Sequence, residues 1–257
     1  MKAVILGSGT STGVPTVSCT CDTCLSTDPH DKRLRTSLLI RSNTTTVVID
    51  TSSDFRQQML THTVLDIHGV VYTHHHYDHI GGFDDLRPYS FRSGSPVEVY
   101  GTNETLAVIR STFPYAFGLV QPTGASTPNV HLNTITQAPF TIGDIPITPI
   151  PLLHGSMNVN GYRIGNLAYC TDTNNIPSSS MELLRGLDTL ILDGLRWKKH
   201  PTHFSIPESL HIIEQLQPGQ TYLTHIAHQV LHTETSARLP VGVALAYDNL
   251  ELDITTA

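Results

Sequence analysis

Apolar residues in this chain fall into short runs that close on polar ones. KAVILG (2–7), TSLLIRS (36–42), TTVVIDTS (45–52), HGVVYTH (68–74), PVEVYG (96–101), IPITPIPLLH (145–154), YRIGNLAYCTD (162–172), DTLILDG (188–194) and TYLTH (221–225) are rich in Val, Ile, Leu, Tyr and Thr. Runs of this length and content predict core-bound strands. Most end on Asp, His, Gly, Ser or Thr, so polar side chains gather at strand ends, where a catalytic rim is built. Helical signals lie between them. Ser205-Ile-Pro-Glu208 fits a capping box with an early proline, LHIIEQL places Leu210, Ile213 and Leu216 on one face, and Pro218-Gly219 stops the run. Amphipathic stretches at 53–61, 104–112 and 180–187 predict further helices, while the Gly- and Pro-containing stretches 87–96 and 114–128 read as surface excursions.

Strands alternating with helices, without a repeat or linker, predict one α/β domain over residues 1–257. At that length the core needs no staples. Charged residues make up 14% of the chain and the formal net charge is −7. That balance argues against extended nucleic-acid binding and against an anionic membrane surface, though it leaves room for a small basic pocket. The apolar part of the opening MKAVILGSGTSTG is too short for a signal segment or a membrane span, so the expected location is the cytoplasm.

Gly7-x-Gly9 follows a strand, as in a dinucleotide loop. However, the third glycine stands at 13, and Pro15 and Cys19 occupy the place where the helix should open. A tight glycine turn lying under the active site is the expectation instead.

The chain carries 15 histidines, and THHHYDHIGG concentrates four potential ligands, His74, His76, Asp78 and His79, within six positions after a strand. Imidazole and carboxylate suit Zn, Mn or Fe, and this spacing can serve two adjacent ions.

The segment matches the HxHxDH motif of the metallo-β-lactamase fold in full. The resemblance runs over nearly the whole chain and is closest to the PhnP-type phosphodiesterase branch, which shares GSGTSxGVP, a CxCxxC-like cluster, a late YCTDT-like segment and THIxH near the end. It implies a four-layer αββα sandwich holding two divalent ions, Mn or Zn. His74, His76 and His154 would hold the first ion and Asp78, His79 and His225 the second, with Asp172 bridging them. The implied reaction is hydrolysis of a small or cyclic phosphodiester, of the ribosyl cyclic phosphate or cyclic nucleotide type, by a metal-bridging hydroxide. Asp78 and His203 are then the catalytic residues, His203 as general acid with His200 as its competitor. Asp50 would orient a ligand. Arg196 would bind substrate phosphate beside His200, or form an ordinary surface ion pair. The resemblance also implies a homodimer. Competing readings are a tRNA 3′-processing endonuclease, a thioester or lactone hydrolase of the glyoxalase II type and, furthest from the ligand set, a non-catalytic metal-binding protein.

Cys19, Cys21 and Cys24 form the chain's other cluster. Structural zinc takes four ligands and these thiols supply three. A disulfide framework fits an odd cluster poorly, and a redox motif lacks its helix. The resemblance points to His228 as the fourth ligand of a structural zinc. Cys170, on an apolar strand, reads as packed.

Overall fold

The computed structural model describes residues 1–118 and 127–255. Fourteen strands run through the described residues: β1 (Lys2–Gly7), β2 (Ser37–Arg41), β3 (Thr46–Ile49), β4 (Gly69–Val71), β5 (Val97–Gly101), β6 (Val130–Thr134), β7 (Phe140–Ile142), β8 (Ile145–His154), β9 (Met157–Ile164), β10 (Leu167–Cys170), β11 (Thr189–Asp193), β12 (Gln220–Thr224), β13 (Val243–Leu245) and β14 (Glu251–Asp253). They form two seven-stranded sheets, ordered β14-β1-β2-β3-β4-β5-β6 and β13-β12-β11-β10-β9-β8-β7. Strands β3 to β6 are mutually parallel, as are β10 to β13, so their C-terminal ends meet at one rim.

Side-chain alternation builds the layers. On β1 to β3, Ile5, Ile40, Val47 and Ile49 face Ile147, Tyr162, Leu167, Tyr169 and Ile191 of the other sheet. Their neighbours Leu6, Leu39 and Val48 pack outward on Phe55, Met59, Phe83, Leu106 and Ile109. On the second sheet Leu152, Ala168, Cys170, Leu190 and Leu192 pack outward with Leu184 and Leu216. Each buried aliphatic side chain contributes roughly 1.5–3 kcal/mol through removal from water. Helices on both outer faces complete an αββα sandwich.

The strand runs at 2–7, 145–154 and 221–225 fold as the pattern predicts, to within a residue. The stretch 162–172 does not stay one strand: Gly165, at φ 57°, turns it into the β9–β10 hairpin. The stretch 87–96 is no excursion either. Arg87–Ser93 is a helix with Pro88 in its first turn and Gly94 closing it at φ 68°. Pro114–Phe117 forms a 3₁₀ turn, and 119–126 of the predicted excursion lie outside the described residues. The helices at Phe55–Thr61, Asn103–Thr112, Ser178–Leu183 and Ile206–Leu216 match expectation to within a few residues. At the last, the Ser205 amide and hydroxyl both donate to Glu208, at 3.0 and 2.6 Å. Among the described residues no helix is long and apolar enough to cross a membrane.

Candidate metal centre

Strands from both sheets deliver residues to the shared rim. Asp50 follows β3, the 73–79 segment follows β4, His154 ends β8, Asp172 follows β10, Asp193 ends β11 and His225 follows β12. Asp50, Asp172 and His225 adopt left-handed backbone, with φ of 64°, 52° and 58°. That conformation costs a non-glycine residue on the order of 1–2 kcal/mol, and it clusters where function requires it.

The seven residues expected to bind metal come together in two groups. Ligand atoms of His74, His76 and His154 lie within 4.8 Å of one another, as do those of Asp78, His79, Asp172 and His225. The groups adjoin, for the His74 and His79 rings are 4.2 Å apart. Asp172 reaches two rings with different oxygens, Oδ2 to His79 Nε2 at 3.3 Å and Oδ1 to His225 Nε2 at 3.1 Å.

The electrostatics of these groups fit divalent cations. The Nε2 atoms of His74, His79 and His225 are buried without a hydrogen-bond partner. A buried polar atom left so costs about 1–3 kcal/mol, which a cation at the lone pair would relieve. Burial, reinforced by His79, pushes His74 well below the usual imidazole range, and burial also lowers His76 and His154. Burial alone would raise Asp78 and Asp172, but His79 and His225 hold both carboxyls well below the usual range. His79 itself is pushed down by burial and raised well above its ordinary value by Asp172, Asp78 and Asp50. A divalent ion replacing that proton would satisfy the carboxylates that surround it.

Hydrogen bonds fix the rings. Asp50 accepts from His79 Nδ1 at 2.7 Å and from the Thr73 amide and hydroxyl at 2.8 Å each, which aims His79 Nε2 at Asp78 and Asp172. His154 donates through Nδ1 to the Thr202 carbonyl at 2.6 Å, leaving Nε2 for the first group. Partners of this kind set ligand tautomer and orientation.

His203 sits against both groups. Its ring stacks on His225 at 4.6 Å and meets His154 edge-on at 4.5 Å. Through Nδ1 it donates to Asp193 Oδ2 at 2.7 Å. Asp193 is fully buried and was not singled out from the sequence, although it closes the predicted strand 188–194. His200 lies farther out, 5.2 Å from His203 by ring centroid, and belongs to neither group of ligand atoms. Arg196 is half-buried and its Nε donates to the Lys198 carbonyl at 3.2 Å.

Cys19, Cys21 and Cys24 surround His228 Nδ1 at 3.1, 3.4 and 3.8 Å. Tetrahedral zinc with ordinary Zn–S and Zn–N bonds separates such S and N atoms by about 3.5 Å. The Cys24 amide draws the Cys21 thiol down to about 6, while burial pushes Cys24 up to about 11. Cys170 is buried away from this cluster.

The glycine turn does lie beside the site. Ser8 accepts from the Ile226 amide and Thr10 donates to the Ile226 carbonyl, so the turn brackets the backbone next to His225. A Cβ on Gly9 would come within 2.9 Å of Arg33. Asp248 anchors the turn, accepting from the Ser8 amide and hydroxyl and from the Leu34 amide at 2.9, 2.8 and 2.7 Å.

Residues 45–226 match the family described as beta-lactamase superfamily domain. An octanoyltransferase of Porphyromonas gingivalis is 38% identical over 98% of this chain, which spans 51% of that protein's length. The crystal structure of a new diphosphatase from the PhnP family superposes with a TM-score of 0.93 at 42% identity, covering 99% of this chain and 98% of that one. The fold is shared with Zn(2+)-bound PqqB from Methylobacterium extorquens, at a TM-score of 0.78 and 20% identity over 99% of this chain and 100% of that one.

Proposed function

This chain belongs to the beta-lactamase superfamily as a PhnP-like member, and on that footing we propose that it hydrolyses a small phosphorus ester or anhydride at a dinuclear metal centre. The observation that carries this reading is the pairing of seven convergent ligand residues with an oriented histidine, His203, against both groups. His74, His76 and His154 would hold one ion, and Asp78, His79 and His225 the other, with Asp172 between them. A structural zinc would sit among Cys19, Cys21, Cys24 and His228. Bound divalent ions of the Zn or Mn type lower the pKa of water and polarise a phosphoryl oxygen.

The chain's own residues supply the rest. Asp193 keeps the proton of His203 on Nδ1 and so turns Nε2 toward the centre, where a protonated ring can give its proton to the departing oxygen. Asp50 holds His79 in the orientation that metal binding needs. Arg196, on the segment leading to His203, is the group proposed to meet a substrate phosphate oxygen, in a forked contact. The 42% identical diphosphatase supports phosphorus as the reacting atom and extends the candidates from small or cyclic phosphodiesters to diphosphate linkages.

A second reading has its own observation: the 38% identical octanoyltransferase, whose name concerns acyl groups. It would make this chain an acyl thioester hydrolase. The purified protein, loaded with Mn or Zn, should be assayed on bis-p-nitrophenyl phosphate, a dinucleoside diphosphate, octanoyl thioester and a lactone. A higher kcat/KM on the thioester than on both phosphorus substrates would overturn the first reading.

A further inference from the structure

Asn174 follows the proposed bridging residue Asp172 by two positions, and its side-chain amide spans two loops that both serve the centre. Its Oδ1 accepts from the Gly155 amide at 2.7 Å, immediately after His154. Its Nδ2 donates to the Pro201 carbonyl at 3.1 Å, two residues before His203. The backbone beneath it is held firmly. The Asn174 amide donates to the Leu153 carbonyl at 3.0 Å, and the Leu153 amide donates to the Asn175 carbonyl at 3.0 Å.

The same loops also meet through the His154 and His203 rings, edge-on at 4.5 Å. His154 Nδ1 donates to the Thr202 carbonyl at 2.6 Å, and a Cβ on Gly155 would meet Thr202 Cγ2 at 3.0 Å. Gly155 has φ 64°, so its amide direction is set by a left-handed turn that ordinary side chains would strain. A single primary amide, acceptor on one side and donor on the other, therefore crosses the seam between the loop of His154 and the loop of His203. No smaller or singly functional side chain can do both.

We propose that Asn174 is a positioning residue that locks the His154 loop to the His203 loop, so that the proton donor is held in register with the first metal group. The proposal rests on the reading of His203 as general acid. It adds a part for a side chain that itself has no place among the ligands or the proton donors.

The test uses the full chain and two variants. Asn174→Ala removes both bonds, whereas Asn174→Asp keeps the acceptor for Gly155 and loses the donor to Pro201. Hydrogen–deuterium exchange, read by mass spectrometry without added metal, should show Asn174→Ala losing protection together at the Gly155 amide, which donates to Asn174, and at the Thr202 and Phe204 amides, which donate to His200 and Thr173. Asn174→Asp should lose it at Thr202 and Phe204 only. On the best substrate with a poor leaving group, Asn174→Ala should lower kcat about 10- to 100-fold with little change in KM. Because it acts through His203, the double variant with His203→Ala should be no slower than His203→Ala alone.

Exchange confined to Asn174's own loop, or losses that multiply in the double variant, would overturn the proposal. The exchange result is independent of which ester is cleaved. Should His203→Ala turn out fully active, the general-acid reading fails, while joint deprotection of the two loops still marks the clamp itself.

Discussion

Asp193 and His203 stand ten residues apart and meet at 2.7 Å, carboxylate Oδ2 to imidazole Nδ1, with Asp193 also accepting the Thr173 amide at 2.9 Å. This bond chooses the tautomer and therefore the nitrogen that His203 presents to the centre. Burial would lower His203, but Asp193 and then Asp172 and Asp78 raise it above its ordinary value. A ring that keeps its proton to higher pH is the form a general acid requires.

Exchanging Asp193 for Asn should therefore cost about 10²–10³ in kcat on substrates with poor leaving groups, within the range ascribed to general acid–base catalysis. An activated aryl ester needs little proton donation and should slow far less. Equal losses on both substrates, measured side by side, would assign Asp193 and His203 a structural part instead.

Asp50 is expected to act on affinity. Asp50→Asn leaves the fold's volume intact but weakens the acceptor that holds His79, so divalent-ion affinity should fall about 10- to 100-fold. Titration of the apoprotein with Mn or Zn, followed calorimetrically, measures this. Unchanged affinity would mean that His79 is oriented without Asp50.

The cysteine cluster predicts a separate metal stoichiometry. Cys21→Ala or His228→Ala should lower bound zinc by one per chain in elemental analysis and leave the rim ligands in place. Zinc displaces protons from thiols, and Cys24 is pushed up to about 11 by burial, so affinity should rise with pH. Below about 6 the Cys21 thiol also takes up its proton, and a chelator should strip the site fastest there. Equal stripping rates at pH 5.5 and 8 would contradict a thiolate site.

Asp248 predicts a pH effect on stability. Burial raises its folded-state pKa to about 6, although the Leu34 and Ser8 donors pull the other way. The unfolded value is about 3.9, so between these values the folded state binds the extra proton and is stabilised by it. That stabilisation is complete below pH about 4 and disappears as pH climbs through about 6, a change of about 3 kcal/mol. The difference in unfolding free energy between the wild type and Asp248→Asn should shift against the wild type by that order from pH 4 to pH 7. A flat difference across the window would mean that the carboxylate is ionised throughout.

Much of the molecule could be read from the pattern of strand ends. His74 stands in the HxHxDH motif, the resemblance to the metallo-β-lactamase fold points to His154, Asp172 and His225, and all four lie at the ends of apolar runs whose strands the structure places on one rim. The missed elements have causes that differ from one to the next. Strands β7, β13 and β14 have three residues each and exist only because a neighbour offers a ladder. The Arg87–Ser93 helix was hidden by Pro88 and Gly94, residues that break helices inside but suit their ends. Asp193 was visible as a strand terminus, yet its partner depends on how the 194–203 loop folds back, which no local spacing encodes.

The left-handed backbone at Asp50, Asp172 and His225 bears on how such a chain can evolve. Glycine would relax the backbone at Asp172 and His225, whereas at Asp50 it would strip the three hydrogen bonds that hold Thr73 and His79, so selection for heat resistance alone would push the first two toward residues with no side chain to offer. A lineage that keeps Asp172 and His225 is retaining something its backbone does not reward. Directed evolution for thermal tolerance without an activity screen should therefore erode these two sites before Asp50, and a drift toward glycine there would report that the chemistry had been released from selection.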